Sequence, residues 1–109
     1  QRLMIMRLNR DWLGSFKSLQ ENRGDKEAHK IIRDGFISIS PLFEEQAYAM
    51  GDEYTLVDVV LAPLLWRLPA LNVVLPKQAQ VVEEYSERLF ERQAFQDSLS
   101  DTERDLRGF

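Results

Sequence analysis

Apolar residues recur every three or four positions through most of the chain, which is the spacing of one face of an α-helix. In the first such stripe the apolar positions are Ile5, Leu8, Trp12, Phe16 and Leu19. Gly24 suits the left-handed position that ends a helix, and Asp25 is a suitable N-cap for the next one. The second stripe consists of Ala28, Ile32, Phe36, Ile39 and Phe43. Because Phe43 keeps the period, the pattern predicts a second helix that continues past Pro41 with a kink.

The third apolar segment follows a helix-start signal. Thr55 and Asp58 have the spacing of a capping box, in which each side chain accepts a hydrogen bond from the backbone of the other residue. The residues behind this signal are apolar on nearly every face: Leu56, Val57, Val59, Val60, Leu61, Ala62, Leu64 and Leu65. A helix that is apolar all round is typical of the centre of a bundle, and this one is too short to span a bilayer. We therefore predict a fully buried central helix that ends near Leu68, before Pro69.

The rest of the chain predicts two more helices and no sheet. The apolar run 71–75 has no second strand to pair with, so we predict a loop there. A fourth helix is expected over about 77–92. Its inward residues are expected to be Val81, Tyr85 and Leu89. Ser100 and Glu103 have the spacing of a second capping box, which opens a short terminal helix. The predicted fold is therefore all-α, a helical bundle of about five helices in one domain over residues 1–109.

Composition narrows the classes of function. The net charge of −4 argues against direct nucleic-acid binding, since phosphate contacts rely on concentrated Lys and Arg. The absence of cysteine removes disulfides, thiolate metal sites and cysteine nucleophiles, and it is compatible with a cytoplasmic location. The chain begins at Gln1 without an initiator methionine or a targeting pattern, so we expect it to be a fragment of a longer protein. A protein or small-molecule partner is expected rather than a membrane.

Few residues could carry chemistry. His29 is the one histidine and lies among charged residues, which favours a solvated position over a base or a metal ligand. Asp58 could be a catalytic acid, but its spacing from Thr55 favours a structural role. Trp66 and Arg67 fit either a cation–π platform for a ligand or a packed indole beside an exposed guanidinium, and packing is favoured. The sequence contains no phosphate loop, metal-ligand spacing or nucleophile–base set, so we predict no catalytic residue, no cofactor and no metal site.

The order of these features resembles a known superfamily. Gly51-Asp52 followed by Thr55-x-x-Asp58 at the start of an apolar helix resembles the core signature of the C-terminal helical domain of glutathione transferases. Within that superfamily, the runs 61–69 and 90–104 are similar to the bacterial stringent starvation protein family. This resemblance implies a transferase-like fold without transferase activity, in a cytoplasmic, dimeric transcription regulator that binds RNA polymerase. It also implies an N-terminal thioredoxin-like domain that these residues do not include.

The same resemblance leaves a second function open. In a true glutathione transferase, the first and third predicted helices would line part of a hydrophobic substrate pocket. The resemblance also bears on assembly, because in transferase-like dimers the first helix and the next one meet the N-terminal domain of the partner subunit. The candidate dimer contacts are the residues of the first helix that lie outside its apolar stripe, namely Met4, Arg7 and Asp11; the same positions fit a merely solvated face equally well.

Overall fold

The computed structural model describes residues 10–107, with side chains from Trp12 onwards. Within that range it contains α1 (Arg10–Glu21), α2 (Lys26–Ile39), α3 (Leu42–Glu45), α4 (Leu56–Arg67), α5 (Gln80–Phe90), α6 (Gln93–Ser98) and α7 (Asp101–Asp105). Two 3₁₀ turns, Pro69–Leu71 and Lys77–Ala79, lie between α4 and α5. Residues 10–107 include no strand, so the predicted all-α class is confirmed, with more helices than the five expected.

The first two helices pack closely against each other. Asp25 caps α2, and its carboxylate accepts the backbone N–H of Ala28 at 3.0 Å. Trp12 of α1 meets Phe36 of α2 edge-on, with ring centroids 5.2 Å apart. Gly35 lies against the same indole, and a Cβ built at this position would be 2.2 Å from Trp12 Nε1. The helices can approach this closely because position 35 has no side chain.

The prediction that the second helix continues past Pro41 is wrong. α2 ends two residues before the proline, and α3 begins immediately after it. Pro41 has no N–H to bond to the carbonyl of Ile37, and that carbonyl accepts the N–H of Ser40 at 3.2 Å in a tighter turn. The break nevertheless keeps Phe43 buried, as the apolar period predicted, and its ring stacks on that of Tyr85 with centroids 4.1 Å apart.

α4 is buried along one side only. Its buried residues are Asp58, Leu61, Ala62, Leu65 and Trp66. In contrast, Leu56 is 75% exposed, Val60 is 55% exposed and Val59 is 46% exposed. The prediction of a fully buried helix is therefore wrong for these three residues. α4 packs against α5, and the side that carries Leu56 and Val60 has no comparable cover among the described elements.

The predicted fourth helix differs at both ends. It opens with a 3₁₀ turn, so the α-helical part begins at Gln80 rather than Lys77, and it ends at Phe90 rather than Arg92. The inward face is also rotated, because Val82 is fully buried whereas Val81 is only partly buried. The residues of α5 that enter the core are Val82, Tyr85, Ser86 and Leu89.

The C-terminal segment contains one helix that the sequence pattern does not predict. This helix, α6, places Phe95 against Phe90, with stacked rings 5.3 Å apart. The predicted cap of the terminal helix is present, since the Ser100 hydroxyl accepts the N–H of Glu103 at 3.1 Å. None of the helices within residues 10–107 is long and apolar enough to cross a bilayer.

Candidate functional site

Asp58 is a fully buried carboxylate at the start of α4. Thr55 precedes the helix in extended conformation, and the two residues form a reciprocal capping box. Asp58 Oδ2 accepts the backbone N–H of Thr55 at 2.8 Å and lies 3.4 Å from its hydroxyl oxygen. This local half of the site follows from the three-residue spacing, which brings the third residue of a helix back to its cap.

The other carboxylate oxygen binds two distant segments. Asp58 Oδ1 accepts the backbone N–H of Ala49 at 2.9 Å and the hydroxyl of Tyr85 at 2.5 Å. Ala49 lies in the connection before α4, and Tyr85 lies on α5. One carboxylate therefore fixes the connection, the start of α4 and the middle of α5 relative to one another. Sequence reasoning identified Asp58 and Thr55 but not these two further partners.

The electrostatics of the pair suit a structural role. Burial raises the pKa of the Tyr85 hydroxyl, and the hydrogen bond to Asp58 and the charge of that carboxylate raise it further. Tyr85 therefore stays neutral at physiological pH and donates its proton to the hydrogen bond. Its side chain is 1% exposed and that of Asp58 is fully buried, so neither group is accessible to a substrate. The site can orient helices, but in this geometry it cannot act on a ligand.

α5 also holds the connection that carries Ala49. The guanidinium of Arg88 donates to the carbonyl of Ala47 from Nη2 at 2.8 Å and from Nε at 3.2 Å. Within the connection, Gln46 Nε2 donates to the carbonyls of Tyr48 and Ala49 at 2.9 Å and 3.0 Å. These bonds satisfy backbone groups that no helix or strand pairs. The connection is therefore a fixed structural element that presents the Ala49 N–H to the carboxylate.

A second cluster joins the end of α4 to α7. Trp66 is buried, and its Nε1 donates to the carbonyl of Glu103 at 2.7 Å. Arg67 forms an ion pair with the Glu103 carboxylate, with Nη2 and Oε1 2.7 Å apart. The favoured interpretation of Trp66 as a packed residue is confirmed. Arg67 is held by α7 rather than extending freely into solvent, so neither residue offers an open platform for a ligand.

Arg107 completes this cluster, and sequence reasoning missed it. Its guanidinium lies over the Trp66 ring, 4.8 Å from the centroid, and donates to the carbonyls of Leu65 and Trp66 at 3.0 Å and 2.9 Å. Pro69 has no N–H to offer the Leu65 carbonyl, which instead accepts the N–H of Leu68 at 3.3 Å, and the arginine supplies a second donor at the end of the helix. Burial lowers the pKa of Arg107. In the sequence, Arg107 is only a basic residue near the end of the chain, and this does not indicate which residues it contacts.

Three surface depressions among the described residues are places where a partner could bind. The largest of the three, about 470 Å³, lies between the segment after α4 and α5, and Glu83, Glu87 and Arg107 contribute charge to it. A second, about 390 Å³, lies against Trp66 and is lined by Glu91 and Arg104 among others. The smallest of the three, about 250 Å³, lies between α1 and α4. The described residues that line this smallest groove are all apolar: Trp12, Leu13, Leu56, Val57, Val60, Leu61 and Leu64.

The other residues that the sequence suggested do not converge on these depressions. His29 is partly exposed on α2 and lines none of them. Among the described residues, no group of three or more His, Cys, Asp or Glu side chains could hold a metal ion. Met4 and Arg7 lie outside the described residues, and only the backbone of Asp11 lies within them. Their role as dimer contacts therefore stays a prediction.

Comparison with known proteins assigns the fold to a family. The family model of the glutathione S-transferase C-terminal domain matches residues 11–93, which include the α1–α2 pair, the Asp58 site and α5. The chain belongs to this family. The Thr55–Asp58 capping box and the helices that it orients are thus part of a glutathione S-transferase C-terminal domain.

Several similar proteins carry the name stringent starvation protein A homolog. The one from Coxiella burnetii is 39% identical over 97% of this chain and 52% of its own length. Those from Haemophilus influenzae and Pasteurella multocida are 34% and 33% identical, over 92% and 90% of this chain and 49% and 48% of their own lengths. The chain therefore spans about half the length of the curated relatives it matches.

Proposed function

We propose that this domain is the C-terminal part of a non-enzymatic transcription regulator that associates with RNA polymerase during starvation. The observation that carries the proposal is similarity to proteins named stringent starvation protein A homolog. These proteins are 31–39% identical to the chain, and the matches cover at least 90% of it. The role of the matching domain in those proteins is therefore the leading candidate for the role of this chain.

The use of the buried polar groups supports a binding role over a catalytic one. Asp58 and Tyr85 are the groups that a catalytic interpretation of the core would choose, and their hydrogen bonds are directed at each other and at the backbone. The charged groups of the C-terminal cluster, Arg67, Glu103 and Arg107, likewise bind within the domain. The domain then contributes shape and surface to an assembly.

The proposed protein is a cytoplasmic homodimer that contacts polymerase and neither nucleic acid nor a membrane directly. The net charge of −4 supports the exclusion of nucleic acid. Met4, Arg7 and Asp11 remain the proposed dimer contacts. Arg7→Glu in the full-length protein should shift the dimer towards monomer with helical content unchanged. A variant that dissociates at the same concentration as the parent in analytical ultracentrifugation would place the interface elsewhere.

A glutathione transferase is the second candidate, and one feature favours it. A transferase would need a hydrophobic substrate pocket lined partly by the first and third predicted helices, which are α1 and α4, and the apolar groove lies between these two helices. Family membership is compatible with both candidates. They differ in one measurable property, because the transferase consumes glutathione and the regulator does not.

Co-purification tests the polymerase proposal. Tagged full-length protein, isolated from starved and from growing cells at two salt concentrations, should bring polymerase subunits with it in the starved sample. Recovery of the protein without polymerase under both growth conditions would contradict the proposal.

A further inference from the structure

Arg107 occupies a place in the structure that has the chemistry of a guanidinium-binding site. Its Cζ lies 4.8 Å from the centroid of the Trp66 ring and 4.9 Å from that of the Phe90 ring. The two rings are nearly perpendicular, at 89°, so they form two walls of a corner. The carbonyls of Leu65 and Trp66 accept hydrogen bonds from the same guanidinium at 3.0 Å and 2.9 Å. We call these two rings and two carbonyls the arginine seat.

Each group of the arginine seat favours a planar cation. Aromatic faces attract cations, and a guanidinium stacks on them well because it is flat and weakly hydrated. The two carbonyls belong to the last turn of α4, where the helix dipole places partial negative charge. They accept from two nitrogens of one group, Nε and Nη2, whose spacing is fixed by the rigid fork of arginine.

The side chain that fills the seat can leave it without unfolding the segment that carries it. Arg107 lies two residues beyond the end of α7, and α7 contributes no buried side chain. The contacts that hold α7 come from Glu103, whose backbone carbonyl accepts from Trp66 and whose carboxylate pairs with Arg67. None of these contacts involves Arg107. Among the described side chains, no carboxylate forms an ion pair with Arg107 that would hold it in the seat.

The surface on both sides of the seat favours a basic occupant. The two larger depressions adjoin there, because Glu87, Phe90 and Arg107 line both of them. Glu83 lines one depression and Glu91 lines the other, so exposed carboxylates recur at every fourth residue along the same side of α5. Like charges at this spacing repel one another, and no described residue forms an ion pair with any of the three. A ligand that brings several positive charges would relieve this repulsion.

We propose that the arginine seat is a binding site for an arginine side chain of a partner polypeptide, and that Arg107 occupies it when no partner is bound. The partner's arginine replaces Arg107 between the two rings, and basic residues on either side of it face Glu83, Glu87 and Glu91. Because one guanidinium replaces another, the two carbonyls of the seat keep their donors after the exchange. This assignment does not rest on polymerase association, since a regulator and a transferase would carry the same seat.

Binding of a short peptide to the full-length protein tests the proposal. The peptide is Lys-Leu-Arg-Leu-Lys with a fluorescent label at its N-terminus and an amidated C-terminus, and fluorescence anisotropy gives its Kd. Its arginine fits the seat, its lysines face the carboxylates of α5, and its leucines face the apolar side of the largest depression, to which Leu68 and Val74 contribute. The control peptide has lysine in place of the arginine, which keeps the charge and removes the planar fork.

Arg107→Ala empties the seat and should lower the Kd of the arginine peptide at least about tenfold relative to the parent, because a tethered competitor is removed. In this variant the control peptide should bind about fivefold more weakly than the arginine peptide, since lysine stacks less well on the two rings. Adding Glu87→Gln should weaken binding of the arginine peptide at low salt. Glu21→Gln is the matched control, because Glu21 is exposed and lines none of the three depressions.

Arg107→Lys decides the test if the alanine variant loses its helical content in circular dichroism. It keeps the cation but not the fork, so its Kd for the arginine peptide should lie between those of the parent and the alanine variant. A Kd in the folded variants that is no lower than that of the parent, absence of binding included, would overturn the proposal. Equal binding of the arginine and control peptides would also overturn it, because the carboxylates alone would then explain the attraction.

Discussion

Replacing Asp58 with asparagine keeps the shape of the side chain but removes one of its two acceptor oxygens. In the parent, the carboxylate accepts from the backbone N–H groups of Thr55 and Ala49 and from the Tyr85 hydroxyl. An asparagine amide has one acceptor oxygen and one NH₂ donor, so in either orientation at least one backbone N–H faces a donor. A buried donor left without an acceptor costs about 1–3 kcal/mol, and Asp58→Ala, which leaves all three donors without the carboxylate, should cost about 3–5 kcal/mol.

These costs predict an order of stability that urea and thermal unfolding, followed by circular dichroism, can measure. A loss of 1 kcal/mol lowers the Tm of a domain of this size by about 4 °C, so Asp58→Asn should lower it by about 4–12 °C. Tyr85→Phe should have a smaller effect, because Asp58 keeps its bonds to the two backbone groups. Asp105→Asn controls for the lost charge, since Asp105 is exposed and lies outside the three segments that Asp58 joins. An Asp58→Asn variant as stable as the parent would refute the assignment of Asp58 as the residue that joins the three segments.

Two further predictions concern the ionisation of Tyr85 and the contact between α1 and α2. The pKa of Tyr85 is raised above its ordinary value of 10.0, so above about pH 10 the unfolded state ionises this phenol while the folded state keeps it protonated. The free energy of unfolding should therefore be unaffected below about pH 10 and should fall by up to about 1.4 kcal/mol per pH unit above it. Tyr85→Phe should remove that part of the loss when unfolding is measured between about pH 9 and 11. Gly35→Ala should lower stability by about 1–3 kcal/mol because its methyl group would meet a tryptophan ring at 2.2 Å. Gly14→Ala should instead raise stability by about 0.5–1 kcal/mol, because a Cβ at this position has nothing within 4 Å. Equal effects of the two alanines in thermal unfolding would contradict the close approach of α1 and α2.

Local relations in the sequence predicted the parts of the fold that depend on nearby residues. The capping interaction between Thr55 and Asp58 spans three residues, so spacing alone indicates it. The partners of Asp58 on Ala49 and Tyr85 are 9 and 27 residues away, and no periodic pattern relates them. The position of Arg107 over Trp66 is non-local in the same way. The sequence therefore indicated half of this site, and tertiary packing supplied the other half.

The errors have physical causes of the same kind. The second helix was predicted to continue because Phe43 keeps the apolar spacing. Pro41 breaks the helix, but Phe43 is still buried because a tight turn points its ring inward. α6 was missed since it buries a single residue, Phe95, which is too little for a periodic signal. Leu56 and Val60 were predicted to be buried because an apolar pattern indicates that a face is covered without indicating what covers it.

Conjugation of glutathione to a generic aryl halide by the full-length protein is the measurement that most directly separates binding from catalysis. If the domain serves a regulator that acts by association, the rate should equal the uncatalysed background at every glutathione concentration, in the same preparation that binds RNA polymerase. The buried Asp58 and Tyr85 then contribute only to stability. Turnover that saturates with both glutathione and the electrophile would contradict this conclusion and would establish the protein as a transferase.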